Sequence, residues 1–191
     1  MKVATKQDAK VTEAMGGDGT PRKVLNYFGL SGELQPVPQG FMVNSPPNAQ
    51  GKPHFHTGDQ FQVFFGTEGS TFGRHAMPPV YVHYTDEYTP YGPFASGPQG
   101  MEFFTLRAEP VLGTFYMPES REKMIKKAGR GISKGVEAGK GEKGKATCTP
   151  VIERQADGMA AYHLAAGPGG GRSRGQARRG RRGSITWWWQ G

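Results

Sequence analysis

Cysteine is nearly absent from this 191-residue chain, which carries only Cys148. A single thiol excludes an intramolecular disulfide. Set in a Lys- and Gly-rich stretch with no histidine nearby, it does not read as a nucleophile. Long apolar runs are missing too. No stretch approaches the roughly 20 residues needed to span a bilayer. The polar opening MKVATKQDAKVTEAMGGDG lacks the apolar segment of a signal peptide. A cytoplasmic protein is therefore expected. Hydrophobic residues make up only 35%, and glycine takes 30 positions. One compact core with appended chain is the expectation. Neither a Gly-x-Ser-x-Gly elbow nor a phosphate-binding loop is present.

Charge is unevenly spread. The net value is +8, yet residues 1–118 hold eight Lys/Arg against ten Asp/Glu. Residues 119–148 hold nine basic and four acidic residues, and residues 167–191 hold six Arg and no acid. The positive charge thus lies in Gly-rich segments, where an ordered binding face is least expected, and the core is slightly acidic. Nucleic acid is not favoured as a partner. The alternative is an Arg/Gly tail that holds RNA by charge and stacking. It lacks regularly spaced aromatic partners there, apart from the terminal ITWWWQG.

What is present is a series of short strand-like runs rich in Val, Phe and Tyr: VLNYFGL, GFMVN, FQVFF, VYVHY, MEFFTLRA and GTFYM. Pro and Gly separate them, and no helical pattern intervenes. An all-β barrel or sandwich over residues 24–117 is expected. Residues 1–21 read as a flexible leader in which Lys6 to Met15 has some helical character. Residues 118–129 read as a short helix stopped by Gly129, and residues 130–150 as a Gly/Lys-rich linker. Residues 151–191 read as a short β element followed by the Arg/Gly tail, with the look of a truncated second domain.

The chemistry concentrates in GKPHFHTGDQFQVFF, residues 51–65. Residues two apart on a strand share a face, so His54 and His56 can present their rings side by side. Beyond the Thr57-Gly58 bend, the same alternation puts Gln60, Gln62 and Phe64 on the inner face. Polar groups over an aromatic floor suit a small-molecule pocket. VYVHY puts Tyr81 and His83 on one face and Tyr84 on the other. Four tyrosines, Tyr81, Tyr84, Tyr88 and Tyr91, crowd this region and combine apolar area with hydroxyls. Asp86 and Glu87 read as loop carboxylates.

This pattern resembles the cupin superfamily. His54 and His56 match the His-x-His of its first motif, Gln60 falls at the glutamate position, and Gly66 at the closing glycine. Gly66-Thr-Glu-Gly69 resembles the turn between the motifs, and Pro90-Tyr91-Gly92 resembles the Pro-x-Gly turn of the second. Ala95 stands where the second motif has a histidine, and no asparagine follows. The resemblance covers about half the chain. It implies a double-stranded β-helix, or jelly roll, with a pocket inside the barrel, and a homodimer.

Two readings remain open. One is a metal-dependent enzyme acting on a small organic substrate. His54, His56 and Gln60 would then hold one divalent ion (Fe, Mn or Zn), with Gln62, Phe64, His83 and Tyr91 touching substrate. His75 or His83 would be the further histidine available. The other is a metal-free barrel that binds a ligand or serves as a scaffold. The missing third histidine favours the second reading, and glutamine in place of glutamate brings no charge to balance an ion. The paired histidines favour the first.

Overall fold

The computed structural model describes residues 4–33, 38–111, 113–136 and 142–168. The chain forms two compact units, Met1–Gly135 and Val136–Gly191. Fourteen strands follow in order among the described residues. They are β1 (Lys10–Met15), β2 (Pro21–Phe28), β3 (Gln39–Ser45), β4 (His54–Phe55), β5 (Gln60–Phe65), β6 (Thr71–Phe72) and β7 (His75–Ala76). After them come β8 (Val80–Thr85), β9 (Phe94–Ala95), β10 (Met101–Arg107), β11 (Phe115–Tyr116), β12 (Gly131–Val136), β13 (Ala146–Ile152) and β14 (Ala161–Ala166).

Seven strands build one sheet in the order β1-β2-β3-β10-β5-β8-β12. The short strands build a second sheet. β7-β6-β9 form one part and β11-β4 the other. The bridges Gln50↔Ala95 and His54↔Tyr91 join the two parts antiparallel. Backbone bonds from Gly51 N to Phe94 O and from Ser96 N to Ala49 O extend that seam. Gly51 is required here, because a Cβ at this position would stand 2.6 Å from Phe94 O. From β3 to β12 the chain alternates between the sheets, apart from the β6–β7 hairpin. That alternation is a jelly roll, and the fold is all-β, as the strand pattern predicts.

Register arranges the inner face of the large sheet in rows. Val43, Phe103, Phe64 and Tyr81 are direct cross-strand neighbours. With Phe94 and Met77 they lie in or against the buried apolar cluster. One row along the strands, Phe41, Thr105, Gln62 and His83 are neighbours. At the next row Arg107 faces Gln39, and Gln60 faces Thr85. The barrel therefore has an apolar end and a polar end. A period of two along each strand puts every member of a row on one face.

Three expected boundaries differ. The leader supplies β1, paired with β2 from Lys10↔Asn26 to Met15↔Pro21. Its cross-strand partner overrides the weak helical pattern. The helix expected over 118–129 forms one 3-10 turn, Arg121–Lys123, with no buried residue. Met124 and Ile125 are the large apolar residues there, too few for a helical face to bury. GISKGV, expected to be linker, is β12 at the sheet edge. Asp86 holds it in place by accepting from Arg130 N (2.8 Å), Nε (3.0 Å) and Nη2 (2.9 Å, to its other oxygen). The second unit contains the β13–β14 hairpin, with Cys148 exposed. Residues 169–191, with the Arg/Gly run and the tryptophans, lie outside the described residues.

Candidate functional site

The polar end of the barrel gathers His54, His56, Gln60, Gln62, His83 and Tyr91, all buried. β4 and the strand-like turn at Tyr91 deliver His54 and Tyr91 from the small sheet. β5 and β8 deliver Gln60, Gln62 and His83 from the large one. Phe64 lies beneath them in the apolar cluster. His75 is exposed on β7 and takes no part. Tyr84 faces the other way, its ring 4.8 Å from that of Phe61. Ala95 pairs with Thr71 in the small sheet.

Two buried residues, Arg107 and Gln39, join this group although the sequence did not single them out. Arg107 ends the strand MEFFTLR, in phase with the buried Met101, Phe103 and Thr105. Its inward direction was thus available from the alternation.

Hydrogen-bond direction follows from groups that have only one role. Arg107 Nε donates to Gln60 Oε1 at 3.0 Å. This orients the amide, so Gln60 Nε2 donates to Tyr91 Oη at 2.5 Å. His54 Nδ1 lies 2.8 Å from the Lys52 carbonyl, which can only accept, so Nδ1 carries the hydrogen. In the neutral ring Nε2 is then an acceptor, and Tyr91 Oη donates to it at 2.9 Å. The Gln62 amide also bonds the Tyr91 hydroxyl. A directed chain thus runs Arg107, Gln60, Tyr91, His54, Lys52 carbonyl. In a low-dielectric interior its members polarise one another.

His56 Nδ1 lies 2.8 Å from the Gly113 carbonyl and must donate to it. Arg107 Nη2 stands 3.4 Å from this same nitrogen. A nitrogen that is already donating does not accept, so Nη2 has no acceptor in that direction. Nη1 reaches Gln39 Oε1 at 3.3 Å. The guanidinium also lies over the Phe41 ring, 5.3 Å from its centroid. Among the described residues no carboxylate pairs with Arg107, which is only 6% exposed.

The electrostatics follow from this burial. Desolvation lowers His54 to about 4, with the Arg107 and Arg22 charges adding to it against the Lys52 hydrogen bond. Burial, then the charges of Arg107 and His54, hold His56 well below its ordinary value. Burial and His54 lower His83 to about 4. All three rings are neutral at neutral pH. Burial raises the Tyr91 phenol above its ordinary value, so it keeps its proton. Desolvation lowers Arg107 to about 10, which leaves it charged at neutral pH. The site holds one cation among neutral groups.

These donors do not fit a divalent ion at His54, His56 and Gln60. The His54 Nε2 lone pair is taken by Tyr91 and the Gln60 oxygen by Arg107. A guanidinium also lies beside His56 where a metal site needs negative charge. Among the described residues no three His, Cys, Asp or Glu side chains cluster at metal-binding distance.

No family model and no curated protein matches the sequence. Among solved structures, an RmlC-like cupin protein from Ralstonia eutropha JMP134 is similar, with a TM-score of 0.37 and 14% identity. The match covers 64% of this chain and 83% of that one.

Proposed function

We propose that this cupin-like barrel binds a small organic anion at its polar end, through Arg107 and without a resident metal ion. The observation that carries the reading is the buried guanidinium, whose Nη2 has only a donating nitrogen beside it among the described residues. An unpaired charge removed from water costs several kcal/mol, and an anion hydrogen-bonded to it offsets that cost. The guanidinium fork suits a carboxylate in particular. Tyr91 and the amides of Gln60 and Gln62 supply neutral polar groups beside the ion, and the Phe64–Phe103 row closes the far end. The metal-dependent reading is not taken further, because the His54 Nε2 and Gln60 Oε1 lone pairs are already committed to other partners and a guanidinium stands beside His56.

Calorimetric titration of the full chain with pentanoate, with and without a chelator, tests the proposal. Saturable one-to-one binding that the chelator leaves unchanged is expected. Binding that requires added Fe, Mn or Zn would overturn it, as would no binding at millimolar concentration. Elemental analysis of the same preparations fixes the metal content of the species that binds.

A further inference from the structure

We infer that the ligand is a hydroxylated monocarboxylate, with its hydroxyl about 7 Å from the carboxylate, one strand row deeper in the barrel. This rests on the anion reading above and names the ligand class for that site. The observation behind it is independent of Arg107. Thr105, Gln62 and His83 are direct neighbours across β10, β5 and β8. They are 1%, 3% and 2% exposed. Each carries a buried polar atom without a hydrogen-bond partner among the described residues: Thr105 Oγ1, Gln62 Oε1 and His83 Nε2. Three such atoms side by side on an inward face are a recognition row, since buried polar groups are otherwise paired.

The chemistry the row asks for can be read from its atoms. Gln62 Oε1 only accepts. His83 Nδ1 lies 2.8 Å from Ser133 Oγ, and the Ile132 backbone bonds the same ring in a way that favours its protonated form. Since Nε2 has no partner, that bond is at Nδ1, which carries the hydrogen and leaves Nε2 an acceptor. Thr105 can donate or accept. A hydroxyl pairs two of the three, accepting from Thr105 and donating to either Gln62 or His83. It also adds no charge beyond the one Arg107 balances. An ammonium group would bring a second buried cation with no carboxylate near it. Phe72 and Tyr91 pack directly on the His83 ring, at 4.8 and 4.9 Å centroid to centroid, so no part of the ligand lies between these rings. A slender alkyl chain joins the two groups.

The test compares pentanoate, 5-hydroxypentanoate and 2-hydroxypentanoate by calorimetry on the full chain. The 5-hydroxy acid is expected to bind at least about tenfold more tightly than pentanoate, the scale of a hydroxyl that pairs buried groups. The 2-hydroxy acid, with its hydroxyl at the wrong end, should gain nothing. In Thr105→Val the ratio of 5-hydroxypentanoate to pentanoate affinity should fall toward one. If pentanoate binds and the 5-hydroxyl adds nothing, the hydroxy-acid inference is overturned while the anion reading stands. If no carboxylate binds, both fall. The wild-type comparison decides the matter even if the Thr105 variant does not fold.

Discussion

Arg107 Nη2 stands 3.4 Å from His56 Nδ1, and that nitrogen already donates to Gly113 O at 2.8 Å. Two donors thus face each other inside a barrel, and an acceptor brought between them satisfies at least the guanidinium. This contact accounts for the charge of the proposed ligand.

Removing the cation should separate stability from binding. Arg107→Met leaves Gln60 Oε1 without its donor, at about 1–3 kcal/mol, while Gln39 Oε1 keeps the Val111 N–H. It also removes an unpaired buried charge whose desolvation costs several kcal/mol. The expected result is an unchanged or higher Tm with carboxylate binding lost. A large fall in Tm would show that Arg107 is chiefly structural.

Tyr91→Phe should be destabilising. The hydroxyl is the shared partner of His54 Nε2 and Gln60 Nε2. Its loss leaves both unpaired, and a cost of about 1–3 kcal/mol is expected in urea denaturation. A wild-type midpoint would contradict the directed chain.

Stability should fall as pH drops from 6.5 toward 4. The histidines titrate lower in the folded protein than when unfolded, His54 and His83 near 4. Over this window the unfolded state binds more protons, so acidification favours unfolding, by up to about 1.4 kcal/mol per pH unit for each histidine. Asp18 and Asp86 shift downward from 3.8 to about 2, so they act in the same direction only at lower pH. Chemical denaturation at pH 7 and pH 5 checks the sign. Equal stability at the two values would contradict neutral buried rings.

Asp86→Asn should loosen β12 without unfolding the barrel. Asp86 anchors the Arg130 side chain and backbone at the start of that strand, and the strand's Ser133 meets His83. Faster amide exchange over residues 131–136, with β3, β5 and β10 unchanged, is expected.

Much of this arrangement was legible in the chain. Alternation alone put Gln60, Gln62 and Phe64 on one face, and set Tyr81 and His83 opposite Tyr84. The pairing of His54 with His56 pointed to the polar end. Arg107 was not singled out, because an arginine at the end of a strand is usually solvated. Its burial depends on Gln39, His56 and Gln60, which lie 68, 51 and 47 positions away in the chain. No local pattern encodes such distances. GISKGV was obscured in the same way. Its glycines and lysine read as linker, and its strand conformation comes from β8 and the Asp86–Arg130 clamp. The hydrogen bonds that occupy His54 and Gln60 were not legible, because their direction depends on the register and on the Lys52 backbone carbonyl.

The most direct test follows the Arg107 Nε–H signal by nitrogen-resolved NMR while pentanoate is titrated into the full chain, the signal being assigned by its loss in Arg107→Met. The account predicts a saturable shift of that signal that tracks the calorimetric binding curve in metal-free buffer. A carboxylate that binds and leaves the Arg107 signal unmoved would contradict it.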